Sequence, residues 1–322
     1  MVPTAQNFVY KRVQGVDIDV DVYHTASSAP SGKSPVVIFL HGGGFVLGNK
    51  NAIPRYLLEE VTKREWILVS ANYRLAPQAP LKEIYEDVVD VVTWTREELP
   101  KLLNNSVDAE KISLWGSSAG GTLALLAGAY CKIPPSALVA FYPATDFSPT
   151  AKIGSSAKNN SLDCLPEELK EVAQTPPVVV ETPFVINPAT GGPDFQKSAS
   201  HPRYQLFAFA NKNGCSLQMM TGINPNSEAE IPKFKDISPL NQIHANYPPT
   251  YLVHGDADTM VIPEHSLNMT KALEKAERKV RLEMVPKKNH VFDFDIRHGT
   301  EEYQTYIAPI FDFLELEFGL AK

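Results

Sequence analysis

The stretch "KISLWGSSAGGTLALLAGAY", residues 111–130, limits the folds open to this chain more than any other. An apolar run is cut by glycines and two adjacent serines, and a strong helix former follows directly. Ser and Gly disfavour the interiors of both helix and strand, so the cluster predicts a strand, a sharp turn and a helix. In that setting Gly116, Ser118 and Gly120 hold the Gly-x-Ser-x-Gly pattern of a nucleophile elbow, and Ser117 is only its x. Such a serine is chemically useful only beside a base, an orienting acid and donors for an oxyanion.

The same strand and helix rhythm runs through most of the chain. Residues 7–25 alternate apolar and polar around Gly15, which predicts a hairpin. "SPVVIFLHG" and "EWILVSANYR" are short buried-strand runs. Ile84, Val88, Val91 and Val92 mark a helical face over about 81–98, and "SALVAFYPA" is a further strand. Later come the strand "PTYLVHG", a helix over about 264–278, the strand "KVRLEMVP" and a final helix "EEYQTYIAPIFDFLELEF". Alternation of this kind predicts an α/β fold with a doubly wound, mostly parallel sheet, its ligand site beyond the carboxyl ends of the strands. Between about 147 and 240 the rhythm stops. That stretch is rich in Pro, Ser, Asn and Gly, with helical patches at "PEELKEVAQ" and "RYQLFAFANK". A structureless loop of that length does not fit a compact domain. The expected division is therefore a core of residues 1–146 and 241–322 with an inserted, partly helical cap at 147–240.

Composition matters mainly for what it excludes. With 30 Lys and Arg against 37 Asp and Glu, the net charge is -7, and no basic stripe exists to neutralise nucleic-acid phosphates. The N-terminal residues lack the apolar core of a signal peptide, and no apolar run is long enough for a membrane span. Cys131, Cys164 and Cys215 follow no metal-ligand spacing and cannot all pair, so a reducing, cytoplasmic setting is expected. No metal or organic cofactor is expected either. A homodimer is compatible with the sequence but not specified by it.

Four motifs fall at the ends of predicted strands: "HGGGF" (His41–Phe45), the elbow, "HGDADTMV" (His254–Val261) and "KKNHVF" around His290. Taken singly, each has a bland reading as a turn or a solvated loop. Their joint order of serine, aspartate and histidine, always after a strand, points to a catalytic set. Histidine suits the base because its pKa lies near working pH, and a carboxylate fixes its tautomer.

These residues make the chain similar to the α/β-hydrolases of the hormone-sensitive-lipase-like branch, which includes many carboxylesterases. His41–Gly44 resembles the HGGG motif of that branch, and "NYRLAPQAP" (Asn72–Pro80) resembles its YRLAPE-type segment. The elbow departs from the usual Gly-Asp-Ser-Ala-Gly by carrying Ser117 in place of the acid. The resemblance spans about 35–318, in the cap by position rather than by sequence. It implies oxyanion amides at Gly43, Gly44 and Ala119. The helical N-terminal cap segment of many members is expected to be missing, since the hairpin begins almost at residue 1.

Among the acids, Asp258 holds the fifth position of His-Gly-x-x-Asp, as in similar hydrolases. Asp256 reads as a loop-stabilising residue, and Asp146 is the alternative acid. His290 is the expected base and His298 the weaker candidate, while His41 and His254 read as structural. The resulting expectation is a serine hydrolase with Ser118, Asp258 and His290 as its triad. It would cleave esters of short to medium acyl groups, with a small-molecule ester as its partner. A lactonase, amidase or acyl transferase would share the triad, and a non-catalytic binding protein on this fold is the remaining class. For the pocket wall the sequence offers Phe45, Tyr204, Phe207 and Phe209, with Met219 and Met220 nearby; the competing reading makes these the cap's own small core.

Overall fold

Eight strands form one sheet in the order β1-β2-β4-β3-β5-β6-β7-β8. In chain order they are β1 (Gln6–Val13), β2 (Val16–Tyr23), β3 (Ser34–Leu40), β4 (Ile67–Ala71), β5 (Val107–Ser117), β6 (Ala137–Phe141), β7 (Thr250–Gly255) and β8 (Val280–Val285). The structure, a computed structural model, describes residues 4–25, 32–151, 153, 160–182, 185–187 and 192–321. β1 and β2 form the expected antiparallel hairpin, and β2 meets β4 antiparallel. From β4 through β8 every neighbouring pair is parallel. This is the doubly wound α/β sheet expected from the alternation.

The topology places the site. β4 lies on one side of β3 and β5 on the other, so the winding direction reverses at β3. Leu40 at the end of β3 pairs with Gly116 near the end of β5. The loops after these two strands therefore leave the sheet side by side, at the switch point where α/β sheets hold their ligands.

Burial explains why the strands read as unbroken apolar runs. All seven residues of β3 are buried, as befits a parallel strand covered on both faces. Val36, Ile38 and Leu40 face one apolar cluster, which includes Ile84, Val88 and Val91 of the helix Leu81–Glu97 and Leu123 of the helix Ala119–Tyr130. Val37 and Phe39 face the other, built with Tyr56 and Leu57 of the helix Arg55–Lys63 and Phe311 of the helix Ala308–Glu317. Each such side chain, fully buried, contributes about 1.5–3 kcal/mol. The last helix begins in α form at residues 301–302 but does not continue so. A π-helical turn, Tyr303–Ile307, precedes Ala308–Glu317, because Pro309 lacks an N–H and interrupts the regular ladder.

Between β6 and β7 the chain forms short helices, including Glu167–Gln174, Pro202–Asn213 and Ser216–Thr221. Residues 152, 154–159, 183–184 and 188–191 of this inserted segment lie outside the described residues. Leu206, Ala210, Met219 and Met220 join the same apolar cluster as β3 and β5. The segment thus packs onto the core rather than around a separate centre. Arg203 fastens it further: its guanidinium donates to the Val46 carbonyl at 2.9 Å and the Ala76 carbonyl at 2.5 Å. Two of the three cysteines expected as thiols are joined: Cys164 is bonded to Cys215 within the segment, while Cys131 is free and buried.

Candidate active site

β5 ends at Ser117, and Ser118 turns the chain with φ 55° and ψ -119° before the helix Ala119–Tyr130 begins. A positive φ at a residue with a Cβ costs about 1–3 kcal/mol, and here it lifts the Ser118 side chain clear of both elements. The strain is held by surroundings that leave no alternative. The Ser118 amide donates to the Phe141 carbonyl at 2.9 Å. A Cβ on Gly120 would overlap the Leu40 carbonyl, so only glycine lets the elbow helix pack this close to β3.

The structure brings Ser118, His290 and Asp258 into one hydrogen-bonded chain. Ser118 Oγ lies 2.9 Å from His290 Nε2, and His290 Nδ1 lies 2.6 Å from Asp258 Oδ2. Asp258 follows β7 and His290 follows β8, and these strands are neighbours. Backbone bonds tie the two loops together: the Ala257 amide donates to the Lys288 carbonyl at 3.0 Å. The Asp256 carboxylate accepts from the Lys287 amide at 2.5 Å, the loop-stabilising place expected of it. Asn289 adds a link the sequence reading missed, its Oδ1 accepting from the amides of Thr259 at 3.2 Å and His290 at 2.8 Å.

Asp258 is 4% exposed. Burial alone would raise its pKa, but hydrogen bonds from His254 and His290 and from the Val261 amide outweigh that and hold it well below the usual carboxylate range. It is therefore an anion, and it fixes the tautomer of His290 with Nδ1 as donor and Nε2 free to accept from Ser118. His254 is packed and hydrogen-bonded, to Ser266 Oγ at 2.7 Å and the Val261 carbonyl at 2.8 Å, and it also lies 3.3 Å from Asp258. The alternative candidates stand elsewhere. Asp146 accepts from the Ser148 amide, and His298 pairs with Glu60 at 2.6 Å.

The loop after β3 lies against the elbow. A Cβ on Gly42 would stand 3.1 Å from the Ser117 carbonyl oxygen. Gly43 and Gly44 continue the loop with φ of 122° and 59°. Ala119 opens the helix, where an N–H has no partner within the helix itself. His41 is fully buried and stacked on Tyr73, with ring centroids 4.2 Å apart. Its Nδ1 lies 2.8 Å from the Gly42 carbonyl oxygen, and burial lowers its pKa to about 4, so it stays neutral and structural.

Two cavities flank Ser118. The larger, about 410 Å³, touches His290, Tyr142, Asn289, Phe294, Tyr204 and Phe207, among others. The smaller, about 40 Å³, touches Phe45, Ala119, Thr122, Met220 and Val261. Phe207, Met260, Gly44 and Ser118 belong to both. Of the residues expected in the wall, Phe209 lines neither cavity and instead packs against the core cluster, and Met219 is buried within it. Helical spacing explains this, because Tyr204 and Phe207 share one face while Phe209 points away from it. The wall residues Tyr142, Met260, Asn289 and Phe294 were missed because they lie in the loops after β6, β7 and β8 and not among the aromatic residues of the inserted segment. Among the described residues no cluster of His, Cys, Asp and Glu could hold a metal ion, and no helix is long and apolar enough to cross a membrane.

Comparison with known proteins agrees with this architecture. The chain is similar to the native esterase 2 of Thermogutta terrifontis, with a TM-score of 0.65 and 21% identity over 99% of this chain and 94% of that one. The butyrate-bound form of that esterase gives a TM-score of 0.64 at 21% identity, over 99% of this chain and 96% of that one. In sequence, 29% identity over 96% of the chain links it to the non-reducing polyketide synthase ascC of Acremonium egyptiacum. The 5-methylorsellinic acid synthase of Aspergillus terreus shows 26% identity over 97% of the chain. The chain spans only 15% and 13% of the lengths of these two synthases. A model of the BD-FAE family matches residues 20–273, so the chain belongs to the BD-FAE family, a family of α/β-hydrolase esterases.

Proposed function

We propose that this protein cleaves carboxylic esters of short acyl groups through an acyl-enzyme on Ser118. The observation that carries the reading is the unbroken relay from Ser118 Oγ through His290 to Asp258, at 2.9 and 2.6 Å. His290 Nε2 takes the serine proton as Oγ attacks the ester carbonyl, and the alkoxide oxygen that forms is met by the amides of Gly43, Gly44 and Ala119. The imidazolium, stabilised by Asp258, then gives its proton to the leaving alcohol. Water enters by the same route in reverse and releases the acid. Residues 147–240 act as the cap over this site, and residues 1–146 with 241–322 as the core that carries the machinery.

The two cavities support a division of the substrate between them. The leaving oxygen must receive its proton from His290, and only the larger cavity touches that residue. The alcohol therefore occupies the larger space and the acyl chain the smaller. Some 40 Å³ holds about three water-sized groups at roughly 10–15 Å³ each, which suits acyl chains of about two to four carbons. The expectation of short to medium chains narrows accordingly to the short end. A cytoplasmic setting rests on the sequence alone, and the Cys164–Cys215 bond instead favours oxidising surroundings.

The test is a panel of aryl esters of rising acyl length, run beside lactones, amides and thioesters. We expect kcat/KM to peak at short acyl esters and to fall once the chain outgrows the smaller cavity. Faster turnover of a lactone, amide or thioester would move the protein to that reaction class. No turnover by the wild type would leave the binding-protein reading.

A further inference from the structure

The relay above makes no use of Asp293, which lies three residues beyond His290 in the short 3-10 turn Phe292–Asp295 and is fully buried. Three hydroxyls from three other elements converge on its carboxyl group. Tyr56, on the helix Arg55–Lys63, donates to Oδ2 at 3.3 Å. Ser117, the residue before the nucleophile, donates to the same oxygen at 3.4 Å. Tyr142, just past β6, donates to Oδ1. The Tyr142 ring in turn packs against the His290 imidazole, with centroids 4.5 Å apart and planes tilted by 56°, and it lines the larger cavity.

The arrangement is costly for a purely structural group. Burial pushes the Asp293 carboxyl up to about 6, while the hydrogen bonds from Tyr142, its own backbone, Tyr56 and Ser117 pull the other way. Its folded pKa lies above the ordinary value of about 3.9, so the native state holds the proton more tightly than the unfolded chain. The stability it contributes is full below about pH 4 and is lost as pH rises through about 6. At neutral pH the group is an anion whose charge works against folding. The charge is, however, well placed for chemistry, because it sits behind the ring that faces His290. A tyrosine ring presents electron density to a cation, and a carboxylate nearby favours the protonated imidazole. The other titratable groups at this position are Tyr56, Tyr142 and His290, with Tyr303 facing Tyr56.

We propose that Asp293 is a positioning residue of the reaction. Its carboxylate clamps Ser117, Tyr56 and Tyr142 to the loop that carries His290. Through the Tyr142 ring it holds the imidazole in line with Ser118 and favours the imidazolium that forms as the serine proton moves. Protonating Asp293 relaxes the clamp, so part of the fall in activity at low pH belongs to Asp293. The proposal rests on the ester-hydrolase reading.

The experiment compares wild type, Asp293→Asn and Tyr142→Phe with a short-acyl aryl ester across about pH 5–9, alongside thermal denaturation at about pH 8. Asp293→Asn should lower kcat roughly 10-fold at the alkaline plateau with KM within about two-fold. Its Tm should be unchanged or higher, since a buried charge is gone. The acid limb of log kcat should be steeper in the wild type than in the variant. Tyr142→Phe keeps the ring and loses the link, so it should give a smaller loss of kcat, about three-fold, without a fall in Tm. If Asp293→Asn does not fold, this second variant decides alone. Unchanged kcat, an unchanged acid slope, or a loss of rate matched by a loss of Tm would overturn the proposal. Failure of the underlying reading shows separately, as a wild type that turns over no ester.

Discussion

The loops at the carboxyl ends of β3, β5, β7 and β8 and the segment between β6 and β7 line the same cavity, but they are held in place by different means. In the strand-end loops the main chain takes part in every link, with Asp256 and Asn289 adding their side-chain oxygens to backbone amides. The Ala257 amide bonds to Lys288, the Asp256 amide bonds to Val285, and the Ser118 amide bonds to Phe141, each at 2.9–3.0 Å. Glycines allow the close approaches between β3 and the elbow. The wall helices of the inserted segment, Pro202–Asn213 and Ser216–Thr221, meet the core through side chains: Arg203 on two core carbonyls, Leu206 and Met220 in the shared apolar cluster, Phe207 against Gly44. Reacting groups thus sit on a scaffold that few substitutions can shift, while the wall that meets the substrate hangs on replaceable side chains. Changes to the reacting groups of the first region should cost rate by orders of magnitude, and changes in the second should mainly redirect substrate preference.

The largest effect that sharpens this contrast lies with the acid. Asp258→Asn should lower kcat by about 10³–10⁴, because the amide no longer fixes the imidazole tautomer or balances its charge. Asp146→Asn and Asp256→Asn, read side by side in the same kinetic assay, should each cost less than about 10-fold, as neither touches His290. A greater loss from Asp146→Asn than from Asp258→Asn would place the orienting acid after β6 and break the account of the strand-end loops.

A smaller effect probes the wall. Phe207 has the largest side chain of the four residues that line both the 40 Å³ and the 410 Å³ spaces. Phe207→Ala should join them and raise kcat/KM for medium-chain esters relative to acetate by roughly 10-fold, at about 0.8 kcal/mol for each methylene newly accommodated. The measurement is the ratio of octanoyl to acetyl aryl ester turnover in the variant against the wild type. An unchanged ratio would mean that the strand-end loops, and not the inserted segment, set acyl length.

The same division explains what could be read from the residues alone. Strands buried on both faces announce themselves as apolar runs, and the glycines that allow close approach sit within recognisable motifs, so the sheet, the elbow and the places of Asp258 and His290 were legible. The role of a side chain whose partner is remote in sequence was not. Met260, two residues beyond Asp258, forms part of the wall only because the loop after β7 and the helix Pro202–Asn213 line the same cavity. Phe209 matched the aromatic pattern but turned to the wrong side of its helix, and periodicity cannot say which face of a short amphipathic helix meets a cavity. Asp293 had no signal at all, because its three hydroxyl partners come from residues 56, 117 and 142. The pairing of Cys164 with Cys215 was hidden for a similar reason, since the two lie 51 positions apart in the sequence.

Covalent labelling tests most directly whether Ser118 Oγ is the nucleophile that carries the acyl group. The protein is treated with a fluorophosphonate, digested and mapped by mass spectrometry, in parallel with Ser118→Ala and Ser117→Ala. The account predicts one phosphonyl adduct per chain, on Ser118, retained in Ser117→Ala and lost with ester hydrolysis in Ser118→Ala while Tm is kept. An adduct on Ser117, or ester turnover by Ser118→Ala near the wild-type rate, would contradict it.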